Sequence, residues 1–150
     1  MTGYHLTHIL VSHDNRHVGG LGLVAGRPSA ARAVALVERG LSWFDAEGLA
    51  QVLGVRLDRL AILLDIPPAT FYRRRRARRF SRHESDRLMR FVRLWWLARD
   101  VFESDEGARA WLAATQFGLG GAVPLEYART EAGAHEVEDL LRRIDYGVLA

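Results

Sequence analysis

An all-α protein is predicted for this 150-residue chain by three observations. Apolar residues recur at helical spacing, as at Leu57, Leu60, Ala61 and Leu64, which stand at i, i+3, i+4 and i+7. Capping residues open the periodic runs, and glycine or proline closes them. Two short helical runs lead through the turn Asp65-Ile66-Pro67-Pro68 into an arginine-rich helix, the pattern of a helix-turn-helix.

Residues 1–28 carry the weakest pattern. Leu6 to Ser12 reads as a short strand, and Gly19, Gly20, Gly22 and Gly26 as flexible punctuation. His5, His8, His13 and His17 invite a metal reading, but no acid lies nearer than Asp14 and the chain has no cysteine. The segment is read as a mobile polar N-terminus, with no metal site and no cofactor assigned. Pro28-Ser29 then opens a helix to Arg39, with Val34 and Val37 on one face and Gly40 as its stop. Leu41 to Phe44 is expected to be a buried connector. Asp45 is expected to cap a helix to Leu53, with Gly54 ending it, and Leu57 to Leu64 forms the next. Pro68 suits the first position of the basic helix, where its missing N–H has no partner to lose.

Charge is divided sharply along the chain. Ile66 to Arg82 holds seven arginines and no acid, whereas residues 99–150 hold five arginines against ten acids. A single nucleic-acid surface would not be built this way, because an acidic third repels phosphate; two partners of opposite charge are expected. All 21 basic residues are arginine, which reflects coding composition as well as suitability for bidentate phosphate contacts.

Four consecutive arginines point around the whole helix at 100° per residue, so they cannot share one groove. Phe71, the large apolar residue of this helix, should face the core. Arg74, Arg75 and Arg78 follow on its side, where their stems would cover apolar surface. Tyr72, Arg73, Arg76 and Arg79 fall on the other face and are the expected DNA contacts, since arginine bridges phosphates and the O6/N7 edge of guanine.

Ser81-Arg82-His83-Glu84 is a capping box that starts a long helix to about Val101. Trp95 and Trp96 within it diverge by about 100°, so they cannot both fill one core; plain core burial is the favoured reading, with an interface between subunits or subdomains as the alternative for one of them. Ser104 or Asp105 caps a helix to Ala114. The Gly-rich stretch Thr115 to Leu125 follows; it lacks both the P-loop ending and the spacing of a dinucleotide-binding turn. Thr130 caps the last helix, whose stripe is Val137, Leu140, Leu141 and Ile144. Enzymatic activity is not expected: there is no cysteine or lysine nucleophile, no serine with an identifiable His and acid partner, and no paired-His metal spacing on a helix. No apolar run reaches a membrane span and no signal peptide is visible, so a cytoplasmic protein without membrane attachment is expected.

The ordered motifs Gly40-Leu41, Thr70-Phe71-Tyr72-Arg73-Arg74, Phe80-Ser81, Glu84-Ser85-Asp86-Arg87-Leu88, Ala110-Trp111-Leu112, Leu119-Gly120-Gly121, Pro124-Leu125, Thr130-Glu131-Ala132-Gly133 and Tyr146-Gly147 resemble the Xre-type antitoxins of RES-Xre toxin-antitoxin pairs. The resemblance spans roughly residues 29–150. It departs at Gln116-Phe117, where the family often has a Pro-Asn-like turn. It implies a helix-turn-helix-like N-terminal domain (29–83), a connecting long helix (84–101) and a small helical toxin-binding domain (102–150), preceded by the segment 1–28. The implied partners are a RES-domain toxin that attacks NAD, which the antitoxin blocks, and the operator DNA of its own operon. The expected toxin contacts are Leu119, Gly120, Gly121, Pro124, Tyr127, Tyr146, Gly147, Val148 and Leu149, since glycines permit close approach and tyrosine supplies rigid contact area. A single recognition helix makes few contacts, so a homodimer is expected. The alternative is a stand-alone helix-turn-helix regulator whose acidic part is a dimerisation domain.

Overall fold

In a computed structural model of the protein, residues 22–147 are described, and they hold nine α-helices and no strand. In chain order these are α1 (Gly22–Ala25), α2 (Ala30–Arg39), α3 (Trp43–Leu53), α4 (Leu57–Leu63), α5 (Pro68–Ala77), α6 (Arg82–Phe102), α7 (Asp105–Ala113), α8 (Pro124–Tyr127) and α9 (Glu131–Asp145), with a 3-10 turn at Phe117–Leu119.

The caps are local and mostly fall where the sequence places them. The Ser29 hydroxyl accepts the Arg32 N–H at 3.2 Å, Ser104 that of Gly107 at 2.9 Å, and Thr130 that of Gly133 at 3.0 Å. The Ser81-Glu84 capping box closes reciprocally, at 3.3 and 2.8 Å. At α3 the expectation is corrected. Ser42, not Asp45, is the cap; the Asp45 carboxylate sits three residues on and accepts the Ser42 N–H at 2.9 Å. The helix therefore starts at Trp43, and Phe44, expected to be buried, points outward.

The long helix α6 is the axis of the molecule and packs against α2, α3, α7 and α9. Leu88, Phe91, Val92, Leu94, Trp95 and Ala98 are all buried on it. The two tryptophans divide as their angular separation requires: Trp95 is in the core, and the half-buried Trp96 donates its indole N–H to the Leu23 carbonyl at 2.9 Å. Leu23 and Val24 of α1 are themselves buried, so the mobile N-terminal segment expected from the sequence does not extend over these residues. The expected strand at 6–12 and the four early histidines lie outside the described residues. On α2 the expected apolar face is also corrected: Val37 packs on the core with Ala33 and Leu36, whereas Val34 is 63% exposed.

The helix-turn-helix is held by an aromatic cluster. Trp43, Phe71 and Phe80 are all buried, with ring centroids 4.9 Å apart for Trp43 and Phe71 and 5.9 Å for Trp43 and Phe80. Backbone bonds lock the two ends of this unit together, from Trp43 N–H to the Arg78 carbonyl (3.0 Å) and from Phe80 N–H to the Leu41 carbonyl (2.8 Å). The approach is close enough to demand glycine at position 40, where φ is 84° and a Cβ would stand 2.4 Å from the Phe80 carbonyl oxygen.

Arginines tie this unit to the C-terminal helices. Arg90 is buried and bonds Glu131 (2.9 Å) and the Arg129 carbonyl (2.9 Å), Arg109 bonds the Val52 carbonyl (2.8 Å), and Arg59 pairs with Glu126. Arg87 donates to the carbonyls of Leu64 and Asp65 in the helix-turn-helix turn, at 3.2 and 3.0 Å.

Candidate nucleic-acid and protein-binding surfaces

Tertiary structure sorts the arginines of the basic run by partner. Arg74 is committed to the fold: its Nε and Nη2 donate to both oxygens of Glu84 at 2.8 and 3.0 Å. Burial acts to raise the Glu84 carboxyl pKa, but the Arg74 hydrogen bond, the Ser81 N–H and the adjacent guanidinium charge outweigh it and hold the group below the usual carboxylate range. Arg73 makes only a local 3.3 Å bond to the Thr70 hydroxyl. Arg75, Arg76 and Arg78 are exposed and have no acid or carbonyl partner among the described residues.

One sequence reading is corrected here, and one residue gains a structural contact. Arg75 and Arg78 do not cover the core beside Phe71; α5 ends at Ala77, Arg78 turns into the left-handed region at φ 58°, and only Arg74 lies against the N-terminus of α6. Arg79 is past the helix, and its guanidinium donates to the Gly40 carbonyl at 2.7 Å and the Arg39 carbonyl at 3.2 Å, capping the end of α2. All four expected DNA contacts are thus exposed, Tyr72, Arg73 and Arg76 on α5 and Arg79 just past it, where its guanidinium also bonds the end of α2. Tyr72 is 41% exposed, its inner edge against Phe71 and Trp43.

At the C-terminal end, Gln116 to Ala122 forms a cinched loop. The Gln116 N–H donates to the Ala122 carbonyl (3.0 Å), the Gly121 N–H returns to the Gln116 carbonyl (2.9 Å), and the Gln116 side-chain amide donates to the Trp111 carbonyl (3.0 Å). Gly120 and Gly121 occupy the tip at φ 65° and 87°, with no atom within 4 Å of where a Cβ would stand. Among the expected toxin contacts, Gly120, Gly121, Tyr127, Tyr146 and Gly147 are exposed, and Tyr146 is 80% so. Leu119 and Pro124 are buried and face the core, because the loop folds back over α9 and Pro124 begins α8 beneath it. Val148 and Leu149 lie outside the described residues. Sequence reasoning missed Phe117, which is 91% exposed. The signal for it was slight: a lone aromatic between Gln116 and Gly118, on no helical face that could bury it.

No group of three or more His, Asp or Glu side chains is placed to hold a metal ion among the described residues, and none of their helices is long and apolar enough to cross a membrane.

The fold and these surfaces define a two-part helical protein: a helix-turn-helix unit with an exposed basic helix, joined through α6 to a smaller helical unit that displays a cinched loop. Residues 32–93 match the antitoxin Xre-like helix-turn-helix domain, and residues 97–147 match the antitoxin Xre/MbcA/ParS C-terminal toxin-binding domain. The chain belongs to the Xre-type antitoxin family, whose two domains it carries in order. It is similar to an antitoxin Xre of Yersinia enterocolitica, 41% identical over 87 residues that make up 57% of this chain and 59% of the relative. It is also similar to an antitoxin Xre of Photorhabdus laumondii, 37% identical over 73 residues, 48% of this chain and 49% of the relative. The aligned part thus spans about half to three fifths of the length of these relatives.

Proposed function

We propose that this chain is the antitoxin of a toxin-antitoxin pair, a non-enzymatic cytoplasmic protein that binds and neutralises a RES-domain, NAD-consuming toxin and represses its own operon by binding operator DNA as a homodimer. The observation that carries the reading is the segregation of two surfaces on one helical core. The arginines left without acid partners crowd α5, which follows the helix-turn-helix turn, while the half matched by the toxin-binding domain is acidic and displays exposed aromatics and open glycines. A recognition helix reads base edges in the major groove through its N-terminal part while neighbouring cations hold phosphates. On α5 this assigns Tyr72 and Arg73 to the groove and Arg76 to the backbone, with Arg75 and Arg78 adding phosphate contacts. The toxin is assigned to Gly120, Gly121, Tyr127 and the terminal segment from Tyr146.

The two activities should be separable. Substituting Arg73 and Arg76 by Glu places like charge against phosphate and should abolish operator binding while the variant still protects NAD from the toxin. Removing residues 146–150 should do the reverse. A charge-reversed variant that still binds operator DNA with wild-type salt dependence, or a full-length protein that leaves NAD consumption by the RES-domain protein unaltered, would refute the corresponding half of the proposal.

A further inference from the structure

Isolated apolar side chains on a surface are ordinary, so an exposed phenylalanine needs more than exposure to acquire meaning. Phe117 has two properties beyond its exposure. It is 91% exposed, the most exposed of the large apolar side chains among the described residues. Its backbone is tied: the Gly120 N–H donates to the Phe117 carbonyl at 3.0 Å, and the preceding Gln116 donates its side-chain amide to the Trp111 and Ala114 carbonyls, at 3.0 and 3.3 Å. And the loop stands on the body of the chain, because Gly118 lies against α9, where a Cβ would stand 2.7 Å from Leu140 Cδ1. A ring carried on a tied backbone has only its two side-chain torsions to lose when a partner covers it, which is how aromatic anchors favour binding.

Its position on the molecule indicates what covers it. The loop rests on α9 at Leu140, six residues before Tyr146, which is about 9 Å along a helix axis at 1.5 Å per residue. The two most exposed aromatics of the described residues, Phe117 and Tyr146, are therefore carried by the same end of α9, with the unobstructed backbone of Gly120 and Gly121 beside Phe117. The surrounding segment holds five arginines against ten acids, so a matching surface would present an apolar pocket with a cationic rim. Buried aromatic anchors ringed by weaker polar contacts are the usual energetic centre of a protein interface.

We propose that Phe117 is the anchor of the toxin interface, seating its ring in an apolar pocket of the toxin while Tyr146 makes a second contact. The inference rests on the toxin-binding reading above and adds to it the residue that carries the affinity.

The test is titration calorimetry of the full chain against the RES-domain toxin of the proposed pair, comparing wild type, Phe117→Ser and Phe117→Trp. Phe117 packs on nothing, so the variants should melt with the wild type. Phe117→Ser should bind at least about 30-fold more weakly, the loss expected of a hot-spot residue, while Phe117→Trp stays within a few-fold of wild type. Wild-type affinity in Phe117→Ser would overturn the proposal while leaving toxin binding intact. A Phe117→Ser variant that changed only the sedimentation mass, at unchanged toxin affinity, would reassign the ring to self-association and equally overturn it. Absence of binding by the wild type would instead remove the toxin-binding reading on which the proposal stands.

Discussion

Arg74 and Glu84 meet as a two-pronged fork, Nε to Oε2 at 2.8 Å and Nη2 to Oε1 at 3.0 Å, and the same Glu84 carboxylate accepts the Ser81 N–H that begins α6. One arginine of a basic run is thereby spent on the junction between α5 and the central helix α6. Its charge is balanced by the carboxylate, and its Nε–Nη2 edge is taken up within the fold.

Replacing Arg74 by Ala should therefore lower stability by about 1.5–3 kcal/mol, the range for hydrogen bonds to charged groups, and leave Glu84 without its charge partner. The pH dependence follows from the depressed carboxyl. A group whose folded pKa lies below its unfolded value of about 4.3 stabilises the fold above that value and loses the contribution as pH falls through the lower folded pKa. Glu131, where burial opposes but the Arg90 hydrogen bond and the charges of Arg90 and Arg93 prevail, acts in the same direction. Thermal melts from pH 7 to pH 3 should show the acid-side loss, shallower in Glu84→Gln than in the wild type.

Arg75 and Arg76 should behave alike in stability, against the expectation from the helical wheel. Neither is held by the fold, so Arg75→Ala and Arg76→Ala should each melt within about 0.5 kcal/mol of wild type. Arg76→Ala should also reduce the slope of log K against log salt for operator DNA by about 1, the signature of one lost phosphate contact. Filter-binding isotherms across a salt series measure this directly.

Arg79 differs from its neighbours because it caps the Arg39 and Gly40 carbonyls. Arg79→Ala should cost about 1 kcal/mol in urea unfolding. A variant that lost operator affinity at unchanged stability would return Arg79 to the DNA-contacting set.

Gly133 occupies the first turn of α9 so closely against the preceding helix that a Cβ would stand 1.7 Å from the Tyr127 carbonyl oxygen. The obstacle is backbone and cannot rotate away. Gly133→Ala should destabilise the chain by about 3 kcal/mol and displace α8 with Tyr127, although alanine is the better helix former in isolation. Gly120→Ala, at a position open on all sides, should cost only its backbone strain, about 1 kcal/mol. Parallel melts of the two variants separate close packing from backbone conformation.

What the sequence determined by itself was everything set within one turn of chain. Ser29, Ser81, Ser104 and Thr130 cap helices because their hydroxyls need only a backbone N–H three residues away, and the helix-turn-helix order was legible from periodicity and the Pro67-Pro68 turn. Ser42 displaced Asp45 as a cap within the same local logic, since a serine followed three residues later by an acid is a complete box. Tertiary structure alone decided which side chains were left free. The partner that claims Arg74 is ten residues away and the carbonyl that claims Arg79 is 39 residues away, distances across which a helical wheel carries no information. For the same reason Leu119 and Pro124 went into the core while Phe117, two residues from Leu119, stayed in water: burial there depends on where α9 lies beneath the loop, and that is fixed by packing between segments distant in the chain.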